Sequence, residues 1–156
     1  MRRNCDFLFS VDDDVFLPPD SILKLLNADK DIVAGIYRLG QDGPVAAVRL
    51  PSLDPSWNDV LARSLLTPAT YVSTGCMLVK RSAIELMIEK FPQQRYKRNV
   101  TGDVSWALYQ PYIYKEEYLS EDWAFCQRAI DVGLQPWVHG GVKCGHMKKK
   151  LYQFGD

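Results

Sequence analysis

Apolar and polar positions switch period several times along the chain, and the switches mark out alternating strands and helices. Residues 6–11 (Asp6-Phe7-Leu8-Phe9-Ser10-Val11) are short, β-rich and apolar on both faces, which predicts a buried strand. Pro18 and Pro19 break it, and Asp20 stands where it can cap a helix over Ser21 to Asn27, in which Ile22, Leu23, Leu25 and Leu26 fall at helical spacing. Asp31 to Tyr37 returns to a strand, the run Gly40-Gln41-Asp42-Gly43-Pro44 turns, and Val45 to Leu50 pairs back as a hairpin. Tyr71 to Lys80 predicts another strand, interrupted at Ser73-Thr74-Gly75, where a glycine signals a bulge or a close approach of the backbone to a ligand. Ser82 and Glu85 have capping-box spacing for a helix with Ile84, Met87, Ile88 and Phe91 on its apolar face, ended by Pro92. The polar, basic run 93–102 predicts a mobile loop, and Val104 to Tyr114 an extended segment. Ser120 caps a third helix running to Val132 with Gly133 as its stop, and Gln135 to His139 forms a last short strand. Strands alternating with helices predict an α/β fold, a mixed sheet flanked by helices.

With 156 residues, 47% of them hydrophobic and 24% charged, the chain fits one domain spanning residues 1–156 with one sizeable core. Lys plus Arg and Asp plus Glu balance at 19 each, so no global field attracts nucleic acid or an anionic membrane, and any phosphate recognition has to be local. No segment reaches transmembrane length. Cys5, Cys76, Cys126 and Cys144 form no Cys-x-x-Cys pair, which argues against a zinc knuckle and fits a reducing, cytoplasmic location. Asn99-Val100-Thr101 matches the glycosylation acceptor pattern, a tripeptide too common to outweigh that.

The chemistry concentrates in few places. Asp12-Asp13-Asp14 follows directly on the first strand, and three adjacent carboxylates repel one another unless a cation or solvent neutralises them. On an extended backbone Asp12 and Asp14 share one face and Asp13 takes the other, a two-carboxylate clamp; the bland alternative is an acidic turn. Glu121-Asp122 opens a helix, where the dipole favours acids whatever their role; the functional alternative is a general base above an acceptor hydroxyl, with Trp123 as an apolar wall for a sugar ring. His146 follows glycines at 140, 141 and 145 that free the backbone to bring it against a ligand. Two carboxylates and one imidazole suit Mn²⁺ or Mg²⁺ better than zinc, and Lys148-Lys149-Lys150 would screen a diphosphate or merely form a solvated surface.

In this order and spacing, the Asp-x-Asp strand, Val72-Ser73-Thr74-Gly75-Cys76-Met77-Leu78-Val79-Lys80-Arg81, Leu119-Ser120-Glu121-Asp122-Trp123-Ala124-Phe125-Cys126-Gln127-Arg128 and the late histidine resemble the GT-A class of nucleotide-sugar glycosyltransferases, from Asp6 to His146. The resemblance implies that Asp12 contacts nucleotide or metal, with Asp13 beside it, that Asp14 is the main metal ligand and His146 a third one. It further implies that Ser73, Thr74 and Gly75 line the donor sugar and that Asp122, with Glu121, supplies the base. The implied donor is a UDP- or GDP-linked sugar, and the implied acceptor a glycan or other hydroxyl compound. Members of the class begin with a nucleotide-binding βαβ half of roughly 80 to 100 residues, whereas eleven residues precede Asp12 here. The chain is therefore expected to be the C-terminal, metal- and acceptor-binding part of such a domain, or a reduced relative, with a bare sheet edge open to self-association. Two other readings fit the same residues: a non-catalytic sugar- or metal-binding remnant, and another metal-dependent phosphate-ester enzyme such as a nucleotidyltransferase or phosphohydrolase.

Overall fold

A computed structural model describes residues 5–38, 48–51, 60 and 64–147. Its centre is a five-stranded mixed sheet in the order β1-β5-β3-β10-β4, built from β1 (Phe7–Val11), β3 (Ile32–Ile36), β4 (Leu66–Pro68), β5 (Cys76–Lys80) and β10 (Pro136–Lys143). β5 runs antiparallel to both β1 and β3, while β10 runs parallel to β3, so β1, β3 and β10 all point the same way. Three short antiparallel pairs surround the sheet: β2 (Val15–Phe16) with β11 (Gly145–His146), β6 (Arg95–Lys97) with β7 (Val104–Trp106), and β8 (Tyr112–Tyr114) with β9 (Glu117–Leu119).

Side-chain alternation along the strands sorts the core into two layers. Val33, Cys76, Leu78 and Val142 point to one face, where they pack with Leu25 of α1 (Ser21–Asn27). Ile32, Ala34, Ile36, Met77, Val79 and Val138 point to the other, against Ala83, Ile84 and Met87 of α2 (Arg81–Lys90) and Ala124, Phe125 and Ala129 of α3 (Glu121–Asp131). β3 is buried along its whole length because it has helices on both faces and strands on both edges. Phe125 is fully buried and stacks on Tyr109 at 4.4 Å between ring centroids, so its truncation to Ala should destabilise the domain by about 3–5 kcal/mol. α3 stops where Gly133 takes φ +84, with Gly133 N–H bonded to Ile130 O and Leu134 N–H to Ala129 O, the paired bonds of a Schellman ending.

Several sequence expectations need correction. β1 is an edge strand and not a buried one among the described residues, and Phe7 and Leu8 are each 37% exposed. Asp20 precedes α1 without a side-chain cap bond and instead pairs with Lys24 at 2.8 Å. The capping box does not form, because the N-cap is Lys80 and α2 begins at Arg81, two residues earlier than a Ser82 cap requires, and Glu85 pairs with Arg81 at 2.6 Å. Residues 93–102 are not a loop throughout: a 3-10 turn (Pro92–Gln94) leads into the β6–β7 hairpin. Val104 to Tyr114 divides into β7 and β8. Residues 39–47, which hold most of the expected hairpin, and Lys148 to Lys150 lie outside the described residues; Arg49 forms a bridge with Tyr71. The last strand is eight residues long, with a register break between Val138 and Lys143. Among the described residues no helix is long and apolar enough to cross a membrane.

Exposed apolar side chains crowd the first part of the chain, with Phe7, Leu8, Val11, Phe16, Ile22 and Leu23 all open to solvent. An apolar strand with one unpaired edge is a template for strand addition. The 156-residue chain should therefore elute as dimers or larger species in gel filtration with light scattering, and Leu8→Lys, which places a charge on that edge, should shift it towards monomer. A monodisperse wild-type monomer at high concentration would contradict this.

Candidate functional site

Parallel strands β1, β3 and β10 end on the same side of the sheet, and antiparallel β5 begins there. Such a carboxyl edge is where open α/β sheets place ligands, because loops from several strands meet over it. Here it collects Asp12 after β1, Tyr37 after β3, Ser73 to Gly75 before β5 and His146 after β10; the first turn of α3 brings Asp122 to them.

The acid triplet is not extended. β1 ends at Val11, Asp13 and Asp14 form a turn closed by Val15 N–H to Asp12 O at 3.1 Å, and the chain then re-enters a ladder as β2. The alternation expected of an extended strand therefore does not apply to these three residues. β2 pairs with β11 so that His146 lies opposite Val15, and Met147 N–H bonds to Asp14 O at 2.8 Å. This ribbon brings the imidazole of His146 to the carboxylate of Asp14, Nε2 to Oδ2 3.2 Å, across 132 residues of sequence. On its other side, His146 Nδ1 lies 3.0 Å from the Arg38 carbonyl, which can only accept, so Nδ1 carries the proton. A neutral ring then presents its Nε2 lone pair to a carboxylate, whereas a protonated one donates Nε2–H to it. Two acceptors in contact call for a proton or a cation between them.

Asp122 is held from the opposite side. Ser73 Oγ donates to its Oδ2 at 3.1 Å and Thr74 Oγ1 to its Oδ1 at 2.7 Å. Since the single Ser73 proton points to Asp122, the Tyr37 hydroxyl, 2.5 Å from Ser73 Oγ, is the donor in that bond, and Gly75 N–H donates to the same oxygen at 3.3 Å. A Cβ on Gly75 would collide with the Tyr37 ring, so the close backbone approach signalled by this glycine is to a protein side chain. Asp12 N–H bonds to Gly75 O at 3.2 Å, which joins the two halves of the site.

Electrostatics register the crowding. Partial burial, then the carboxylates of Asp122, Asp14, Asp13 and Glu121, raise the pKa of Asp12 above its ordinary value. Burial also raises the Tyr37 phenol, opposed by its bond to Ser73 and reinforced by Asp12, Asp122 and Asp14. Asp13 and Glu121 are exposed at the margin. Trp123 is half-buried and stacked on Tyr71 at 4.9 Å, with the Arg49 guanidinium 4.5 Å from its ring centroid and 5.3 Å from that of Tyr71, so protein groups occupy part of the expected sugar wall. Gly140 and Gly141 lie within β10 and do not act as a hinge before His146.

The site thus unites Asp12, Asp14 and His146 on one side with Ser73, Thr74, Gly75 and Asp122 on the other. Tyr37 and the Arg38 carbonyl carry contacts that sequence reasoning missed; the one available signal was their position at the end of a strand parallel to β1. As to a divalent cation, Asp14 and His146 are a matched pair of donors, since neighbouring ligands about 2.1 Å from one ion lie about 3 Å apart. Among the described residues, no group of three or more His, Cys, Asp and Glu side chains is already gathered closely enough to hold a metal. The pair would supply two ligands, and the remaining positions would have to be filled by ligand oxygens.

No family model and no curated protein sequence matches the chain. Among solved structures it is similar to the crystal structure of A197 from STIV, with a TM-score of 0.52 and 15% identity over 92% of this chain. The likeness is one of fold. The chain spans 59% of the length of that structure.

The raised pKa of Asp12 carries a testable sign. A carboxyl that binds its proton more tightly in the folded state opposes folding above that raised value, and the opposition fades as pH falls through the carboxylate range. Asp12→Asn should raise Tm without added metal at about pH 7.5, and raise it less at about pH 4. A fall in Tm at the higher pH would show that the Asp12 charge is compensated.

Proposed function

We propose that the chain is the metal- and acceptor-binding part of a GT-A-type glycosyltransferase, which moves a sugar from a nucleotide-diphosphate sugar to an acceptor hydroxyl. The observation that carries this reading is the convergence of Asp14, His146 and Asp122, from three distant segments, at the carboxyl edge of a mixed sheet. Strand order supports it as well. The strand leading into the acid triplet occupies a sheet edge, and the GT-A class extends its sheet on the far side of that strand with the half that binds base and ribose.

In this reading Asp14 and His146 hold Mn²⁺ or Mg²⁺, with Asp12 adding charge beside them. When bound, the cation supplies neutralisation of the departing diphosphate. The Arg38 carbonyl fixes the His146 tautomer and keeps Nε2 directed at Asp14. Ser73 and Thr74 orient Asp122. A carboxylate has about four acceptor directions and these two hydroxyls take two, so Asp122 can still accept a proton from an incoming hydroxyl. Tyr37 holds Ser73 in the rotamer that donates to Asp122.

The second reading, a non-catalytic remnant, draws on the same bonds: with both oxygens engaged, Asp122 would be an anchor for the Ser73–Gly75 segment and nothing more.

Calorimetry should find Mn²⁺ binding that UDP or GDP tightens and that Asp14→Ala abolishes; unchanged binding in Asp14→Ala would remove the site assignment. In the full-length protein, Asp122→Asn should lower transfer to an added acceptor by about 10²–10⁴-fold while leaving Mn²⁺ and nucleotide binding nearly intact, and Glu121→Gln should be milder. Near-normal turnover of Asp122→Asn would return Asp122 to the anchoring role. Hydrolysis of a nucleotide without transfer to any acceptor would instead favour a phosphohydrolase.

A further inference from the structure

A pocket of about 330 Å³ lies between the turn that follows α2 and the last turns of α3, and shares no residue with the acidic site. Its lining includes Gln93, Gln94, Gln110, Tyr112, Arg128 and Asp131. Arg128 is 5% exposed. Its Nη1 donates to the Leu108 carbonyl at 2.8 Å, and its guanidinium lies over the Tyr112 ring, 4.6 Å from the centroid. Among the described residues, no carboxylate comes within ion-pair distance of it. Asp131, the nearest candidate on the same helix, accepts instead from Gln127 Nε2 at 2.8 Å.

A guanidinium carries five N–H donors and stays charged in proteins, so beyond one carbonyl and one ring face it has donors left to offer, and these open on the pocket. Burial pushes the Arg128 pKa below its usual value, and the neighbouring Tyr112 and Asp131 offset that only in part. Buried cations of this kind are otherwise paired. A site of small-molecule size in front of this one gives room for the pair.

We propose that the pocket binds a small oxyanion, a carboxylate or phosphate group on a hydroxylated carbon skeleton, with Arg128 as its charge partner. A planar guanidinium matches either oxyanion with two parallel bonds. The skeleton is inferred from the rim. The three glutamine amides each offer donors and an acceptor, and Asp131 offers only acceptor oxygens, a set that pairs with hydroxyl groups and that an apolar acid would leave unmatched. The pocket is independent of the proposed metal site and of its chemistry.

Calorimetric titration of the chain in EDTA with glucose 6-phosphate, glucuronate and glucose tests this. At least one anion should bind saturably, glucose should bind at least about tenfold more weakly, and the order of the two anions identifies phosphate or carboxylate as the preferred group. Arg128→Lys should weaken anion binding about tenfold or more. Should that variant fold poorly, Gln110→Ala at the exposed rim should weaken binding several-fold with Tm unchanged. Asp14→Ala should leave binding as it is, which separates the pocket from the acidic site. No saturable anion binding, glucose bound as tightly as the anions, or loss of binding in Asp14→Ala would each overturn the proposal.

Discussion

Repulsion among carboxylates is the constraint on which the candidate site depends. Asp12, Asp13, Asp14 and Asp122 are brought to one end of the sheet, and each of the other three raises the pKa of Asp12 after its partial burial has done so. Nothing in the packing of a five-stranded sheet requires four acids there, and their gathering works against folding. The surroundings answer the charge unevenly. Asp122 receives two hydroxyl donors, and Asp14 faces an imidazole whose other nitrogen is committed to a carbonyl. Asp12 has a backbone tie but no cationic partner among the described residues, so part of the negative potential is left unanswered. A cation is the species such a potential attracts, whatever reaction follows.

Two backbone devices keep the acids in place. The β2–β11 ribbon fixes His146 to the acid turn through ladder bonds, and Gly75 admits the Tyr37 ring so that Tyr37, Ser73 and Asp122 form one hydrogen-bonded row. Both devices rest on the central sheet. β10 runs beside β3 and delivers the chain to Cys144, whose N–H bonds to Ile36 O at 2.8 Å, before β11 begins. Tyr37 follows Ile36 directly, so the same strand end positions the two sides of the site.

Much of this was legible in the residues, for identifiable reasons. β3, β5 and α3 are long apolar or strongly periodic segments in a stable context, and their local preferences agree with their burial. The stop at Gly133 was readable because a left-handed ending has one strongly preferred residue. The burial of β1 was not readable, since an apolar edge strand and an apolar central strand have the same sequence and differ only in what lies beside them. The capping box failed because Arg81 competes for Glu85, a choice that composition does not reveal. In the candidate site, Asp12, Asp14, Asp122 and His146 stood out in the sequence for their chemistry and Tyr37 did not. An aromatic residue at a strand end reads as core, and its hydroxyl bond to Ser73 spans 36 residues. Trp123 was noticed for its chemistry, but Tyr71 and Arg49, which pack against its ring, come from elsewhere in the chain.

α3 connects the two regions of unmatched charge. Asp122 lies in its first turn and Arg128 six residues later, about 9 Å along the axis. The negative group thus sits at the positive end of the helix and the positive group nearer its negative end, the arrangement the macrodipole favours on both counts. Helix electrostatics accounts for the sign of each charge without accounting for its burial. An exposed arginine near a helix end would gain the same dipole energy and keep its water. Arg128 is buried, with Leu108 and Tyr112 as its contacts, and opens on a pocket instead. The donors it does not use within the protein face that pocket, and this placement is the physical ground for assigning it a ligand.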